Sequence, residues 1–110
     1  MDAVVPNEKL STFHTLVDRI RTGKGTASAD LRERAFDNAD VPPALHAVID
    51  KVATRPVEIT DADFTTAVAA GFSDDQLFEL VIAAAVGRAS RMYDAGLAAL
   101  AEATGGTEAE

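Results

Sequence analysis

The sequence predicts an all-α protein of about five helices, the last of them long. Three observations predict this class. Apolar residues make up 47% of the 110-residue chain and aromatic residues only 5%, a balance typical of closely packed helices. Apolar side chains recur every three or four residues, as on one face of a helix. Proline and glycine fall between these periodic segments, where they begin or end helices.

The first helix is predicted over Glu8 to Thr22, and Gly23 can take the left-handed conformation that ends it. Its apolar face comprises Leu10, Phe13, Val17 and Ile20. The next segment, GKGTAS, lacks the upstream glycine and the preceding strand of a phosphate-binding loop. We therefore expect a plain connection, with Ser28 capping a short second helix that reaches Asn38.

The third helix is predicted to open at Asp40 and the two prolines that follow, because proline is tolerated in a first turn. Its apolar stripe comprises Leu45, Val48, Ile49 and Val52. Pro56 restricts the residue before it, so this helix should end near Thr54. The segment PVEI is then predicted to be an extended connector.

A fourth helix is predicted after Thr60, which forms a capping pattern with Asp63. It should bury three apolar residues and stop at Gly71. The three residues are Phe64, Ala67 and Val68.

The fifth helix begins at a clearer capping box, Ser73 with Gln76. No strong helix breaker occurs before Gly105, so a length of about thirty residues is predicted. From Leu77 to Val86 it is apolar nearly all round, which indicates enclosure by other helices or by another subunit. We therefore expect one helical domain over residues 1–104, a disordered tail over 105–110, and a homo-oligomer built on this helix.

The charge distribution limits the choice of partners. The formal net charge is −8, and all of the acidic excess lies after Arg55. An acidic chain repels a phosphate backbone, so nucleic acid is not an expected partner. The basic residues near the first loop are expected to form a solvated face or, alternatively, to dock an acidic protein. These residues are Arg19, Arg21, Lys24, Arg32 and Arg34.

Several kinds of chemistry are excluded or disfavoured by residue type. The chain has no cysteine, which excludes disulfides, thiolate metal sites and cysteine nucleophiles. His14 and His46 are the only histidines, and neither has neighbours at metal-ligand spacing. No metal or cofactor is expected. The apolar runs are too short to span a membrane and the N-terminus does not have the pattern of a signal peptide, so we expect a soluble, cytoplasmic protein.

The polar residues of the fifth helix are the candidate site. Glu79 lies inside its apolar half, where an unpaired carboxylate would be costly. Two interpretations remain open: a structural ion pair with Arg88 or Arg91 of a neighbouring helix or subunit, or a carboxylate with a raised pKa that lines a pocket. Arg91 and Asp94 are three residues apart and can pair on one face. Tyr93 lies between them in sequence.

The segment SDDQLFELVIAAAVGRASRMYDAGLAAL resembles the core helix region of the carboxymuconolactone decarboxylase and alkylhydroperoxidase D-like superfamily. The preceding segments VPPALHAVIDKVA and EITDADFTTAVAAGFSDD extend this resemblance, which covers Val41 to Glu102. It implies an all-α fold and an oligomer, commonly a trimer or hexamer.

The resemblance also implies where the family's site would lie. In the peroxidase branch, a glutamate precedes a CxxC pair on the same helix and a histidine follows. By spacing, the glutamate corresponds to Glu79, the two cysteine positions are occupied by Arg91 and Asp94, and the histidine position by Ala98. Without a thiolate, thiol peroxidase activity is excluded.

Two hypotheses of function follow from the sequence. The first is a non-redox binding or assembly module similar to this superfamily. The second is a cofactor-independent enzyme of the lactone decarboxylase type. In the second, a small carboxylate or lactone would bind to Arg88, Arg91, Tyr93 and Asp94 in an intersubunit pocket, with Glu79 as the group that moves a proton.

Overall fold

The computed structural model describes residues 4–108, and the side chains of residues 11–104. Within these residues there are five α-helices, two short 3-10 helices and no strand. The α-helices are α1 (Val4–Thr22), α2 (Ala29–Asp37), α3 (His46–Thr54), α4 (Asp61–Ala69) and α5 (Asp74–Glu108). The predicted all-α class, the number of helices and the long last helix are confirmed.

Capping residues lie at the ends of the helices, close to the predicted positions. Ser28 Oγ accepts a hydrogen bond from Leu31 N at 3.1 Å at the start of α2. Asn38 ends the same helix in the left-handed conformation, with φ of 53°. At the start of α5, Gln76 N donates to Ser73 Oγ at 3.1 Å and Ser73 N donates to Gln76 Oε1 at 2.9 Å. The predicted capping box of α5 is confirmed, and it satisfies two otherwise unpaired helix donors.

Asp63 holds the start of α4 against α3. Its Oδ2 accepts from Thr60 N at 2.9 Å and from Lys51 Nζ at 2.9 Å. These two interactions, the backbone hydrogen bond first, lower the pKa of Asp63 below its ordinary value. The predicted cap therefore also ties two neighbouring helices together.

Three local predictions differ from the structure. The segment predicted as an extended connector is a 3-10 helix, Pro56–Glu58, because the restricted φ of proline suits a helical first turn. A second 3-10 helix, Pro43–Leu45, precedes α3. Val68 was predicted to be buried but is 49% exposed, since α4 is short and buries only a narrow strip.

The ends of the outer helices also differ from prediction. Helix α1 begins at Val4, four residues before the predicted start. Helix α5 continues through Gly105 and Gly106 to Glu108, past the predicted boundary of the domain. The last two residues of the predicted disordered tail, 109 and 110, lie outside the described residues.

Helix α5 is the axis of the molecule, and α2 and α3 pack against its first half. The core between them is formed by small and aliphatic side chains, among them Leu45, Val48, Ile49, Leu80, Ala83 and Ala84. Helix α2 approaches closely at Gly87, where an added Cβ would lie 1.9 Å from the carbonyl oxygen of Phe36. A glycine is therefore required at this crossing.

The second half of α5 extends beyond this core. Thirty-five helical residues span about 52 Å at 1.5 Å per residue, close to the longest extent of the described chain, 57 Å. Every residue from 91 to 104 is exposed. The described side chains therefore cover the first half of the longest helix and leave every position from 91 to 104 exposed, although Tyr93 still contacts Phe13 of α1.

Candidate functional site

Glu79 binds the loop between α1 and α2. Its Oε2 accepts a hydrogen bond from Thr26 N at 2.7 Å, and its Oε1 accepts from Ala27 N at 2.8 Å. The loop lies so close that a Cβ added at Gly25 would be 2.6 Å from Oε1. Both carboxylate oxygens of Glu79 are thus engaged by the backbone.

Arg32 of α2 binds the acceptors of the same region. Its guanidinium donates to Ile20 O at 2.8 Å, to Ala27 O at 3.2 Å and to Gly23 O. Arg32 is only 6% exposed, and these carbonyls satisfy its buried donors. We call Glu79 and Arg32 together the loop clamp, because the anion takes the loop's N–H groups and the cation takes its carbonyls.

The loop clamp differs from both interpretations of Glu79, although Glu79 does line a cavity. The backbone N–H groups of Thr26 and Ala27 lower the pKa of Glu79 below its ordinary value, against the opposing effect of burial. The interpretation of a raised pKa is wrong. Within this chain the partner of Glu79 is the loop backbone and not Arg88 or Arg91.

The basic residues near this loop do not form a single patch. Arg32 was expected on a solvated face but is buried in the loop clamp. Arg21 pairs with Glu33 at 3.2 Å, and Arg34 pairs with Asp30 at 3.2 Å. A cavity of about 210 Å³ remains beside the loop clamp. It is lined by Arg19, Ile20, Lys24, Arg32, Glu79 and Ile82.

Arg91 and Asp94 line a second opening, a polar groove of about 550 Å³ between α1 and α5. Arg91 Nη1 donates to Phe36 O at 2.6 Å, so the guanidinium satisfies a carbonyl near the end of α2. The other charged and titratable residues of this groove are His14, Asp18, Arg21 and Asp37. Arg91 and Asp94 line one groove, but among the described residues the predicted pair between them does not form.

The structure divides the five predicted site residues. Glu79 and Arg91 are twelve residues apart on one helix, about 18 Å along its axis, and line different openings. Tyr93 packs against Phe13, with ring centroids 5.4 Å apart. Arg88 is half-buried and lines neither opening. Within one chain, the predicted residues do not form a single pocket.

A feature that sequence reasoning missed is the outer face of α5, the side turned away from the core. It comprises Phe78, Ile82, Ala85, Ala89, Met92, Gly96, Ala99 and Ala103. These positions alternate in steps of four and three, the spacing of a helix–helix seam. All except the half-buried Ile82 are exposed, and Phe78 and Met92 are 66% and 60% exposed.

The outer face carries no charged residue over its whole length. An ordinary surface helix presents polar side chains on this side. The alternating spacing could have been found in the sequence, but it was obscured because Leu77 to Val86 is apolar on both sides. Only the packing of α2 and α3 shows which side the chain itself covers.

Two searches of the described residues concern other kinds of site. No group of three or more histidine, aspartate or glutamate side chains there could hold a metal ion. None of the described helices combines the length and apolar character that crossing a membrane requires. His46 Nε2 lies 2.8 Å from Val41 O, a structural contact at the start of α3.

Comparison with known proteins returned no match to a family model, to a curated protein or to a solved structure. The superfamily resemblance therefore stays a prediction.

Proposed function

We propose that this protein is a non-catalytic, homo-oligomeric assembly module that associates through the outer face of α5. The single observation that carries this proposal is an exposed helix face that is free of charge from Phe78 to Ala103. A helix that is apolar on two opposite sides is stable in water when both sides are covered. The chain supplies the cover on one side, and a second copy would supply it on the other.

Burial of apolar side chains would contribute to the free energy of association. Burying one large apolar side chain contributes about 1.5–3 kcal/mol, and both Phe78 and Met92 are available for burial. The five small residues of the face, four alanines and Gly96, allow two helices to approach closely.

The exposed second half of α5 supports the same proposal. Most helical stability in proteins comes from the packing of a helix face, and the 14 residues from 91 to 104 are all exposed. Packing against a partner would stabilise this segment. The superfamily resemblance implies oligomers as well, commonly trimers or hexamers.

The enzyme hypothesis has weaker support from the geometry. Glu79 has a lowered pKa and both of its oxygens accept hydrogen bonds from the loop. It is therefore ionised near neutral pH, has no proton to donate, and is a weak base. A small carboxylate or lactone ligand stays a prediction for the groove that Arg91 and Asp94 line.

The proposal is tested by measuring the mass in solution by light scattering for the wild type, Ala89→Glu and Ala98→Glu. Both substitutions place one carboxylate on an exposed position of α5, but only Ala89 lies on the outer face. We expect a multimer for the wild type and Ala98→Glu, and a folded monomer for Ala89→Glu. A monomeric wild type, or equal behaviour of the two variants, would contradict the proposal.

A further inference from the structure

We infer that two copies pair antiparallel along the outer face of α5, with the twofold axis between Ser90 and Arg91. This inference rests on the proposed function and adds the orientation and register of the partner. The partner's chemistry is therefore that of a second copy of this chain.

The register follows from the sizes of the residues on the outer face. An antiparallel pair centred between positions 90 and 91 places Phe78 opposite the partner's Ala103 and Ile82 opposite the partner's Ala99. It places Ala85 opposite the partner's Gly96, and Met92 opposite the partner's Ala89. The three large residues each meet a small one, so the two helix axes can stay at a nearly constant separation.

Other arrangements fit the same face less well. Moving the antiparallel register by seven residues leaves either Phe78 and Ile82 or Ala99 and Ala103 without a counterpart. A parallel pair sets Phe78 against the partner's Phe78 and Gly96 against the partner's Gly96. Large residues would then crowd one layer while gaps opened in another, and both defects reduce stability.

The rest of the molecule accommodates the antiparallel pair. Helices α2 and α3 pack on the first half of α5, and its second half is exposed from residue 91 to residue 104. An antiparallel partner places its own first half along that exposed segment. The partner's exposed segment in turn lies beside Phe78, where an apolar groove of about 340 Å³ lies between α4 and α5. This groove is lined by Phe64, Val68, Asp74, Leu77, Phe78 and Val81.

The outer face itself adds no charge repulsion to this contact. Each chain carries a net charge of −8, which repels a second copy at long range. The eight positions of the outer face are uncharged, so no like charges are buried when the faces meet. A twofold contact of this kind is compatible with a dimer or with a hexamer of three dimers, but not with a threefold ring closed through this face.

The orientation is tested by cross-linking in this cysteine-free chain. Ala85→Cys and Gly96→Cys place single thiols on exposed positions of the outer face, and a Cβ at Gly96 meets no atom within 4 Å. The two proteins are mixed and treated with a short bismaleimide. We expect a covalent dimer in the mixture and little in either protein alone, where equal thiols would be about 16 Å apart along the helices. Ala98→Cys replaces Gly96→Cys in the control mixture and should not cross-link.

The outcomes separate the two proposals. A multimer that cross-links only in the mixture of Ala85→Cys and Gly96→Cys supports the inference. A multimer in which each variant cross-links with itself, or in which no mixture does, overturns the antiparallel register but leaves the assembly function standing. A wild-type chain that light scattering shows to be a monomer overturns both.

Discussion

At the scale of single residues, two opposite charges position one loop. Glu79 binds the N–H groups of Thr26 and Ala27, and Arg32 binds three carbonyls at the same turn. Hydrogen bonds to charged groups are stronger than those between neutral groups. The half-buried Glu79 and the buried Arg32 therefore supply the hydrogen bonds that secondary structure would otherwise provide to the loop.

Replacing Glu79 with Gln should destabilise the protein at neutral pH. The amide offers one acceptor oxygen to two backbone donors, and its NH₂ group faces the second of them. The expected loss is about 1.5 kcal/mol in the free energy of unfolding, measured by urea denaturation. Glu102→Gln removes the same charge from an exposed position of α5 and should have a much smaller effect.

The difference in the free energy of unfolding between wild type and Glu79→Gln should depend on pH. It is measured by urea denaturation at a series of pH values. The pKa of Glu79 is lowered in the folded state, so its stabilising effect is fully present above the ordinary value of 4.5. It is lost as pH falls through the lowered folded pKa, because the carboxylate is then protonated in both states. A difference in the free energy of unfolding that grew as the pH fell would contradict this account of Glu79.

At the scale of elements, the two sides of α5 have different surroundings. On the inner side, Gly87 meets the backbone of α2, and the close approach depends on the missing side chain. On the outer side, a Cβ at Gly96 meets nothing within 4 Å in the chain. Glycine is therefore required for packing at position 87, whereas at position 96 it weakens the helix without packing against any other part of the single chain.

Substituting alanine at these two glycines should have opposite effects on stability. Gly87→Ala forces α2 away from α5 and should cost about 3 kcal/mol. Gly96→Ala should stabilise the helix by up to about 1 kcal/mol. Both are measured by urea denaturation in the Ala89→Glu background, so that association does not contribute. Equal effects of the two substitutions would show that α2 does not pack at Gly87 as described.

At the scale of the whole molecule, shape and charge act in opposite directions on association. The exposed second half of α5 and its outer face provide a surface for the proposed contact with another copy. The net charge of −8 opposes the approach of two chains. The strength of the proposed self-association should therefore depend on ionic strength.

Raising the salt concentration should strengthen self-association. The Debye length falls from about 30 Å at 0.01 M to about 8 Å at 0.15 M, which screens repulsion between acidic chains while the uncharged outer face is unaffected. Sedimentation or light scattering over a dilution series at both salt concentrations measures the change. Dissociation at the higher salt concentration would indicate that charge pairs, and not the apolar outer face, hold the assembly together.

Local signals in the sequence predicted most of the helix boundaries. Ser28, Asn38 and the Ser73–Gln76 capping box act within a few residues of their own positions, so tertiary packing is not needed to interpret them. One wrong prediction also concerned a local signal. Proline at position 56 excluded a continued α-helix but did not distinguish an extended connector from a 3-10 turn.

The sequence by itself determined the all-α class, the long last helix, the absence of thiol chemistry and the need of Glu79 for a partner. These follow from composition, period and residue type. Tertiary structure alone decided that the partner is a loop 53 residues away in sequence and that Glu79 and Arg91 line different openings. It also decided which side of α5 is left uncovered. Each of these depends on how distant helices pack, and an apolar pattern specifies that a face is buried without specifying what covers it.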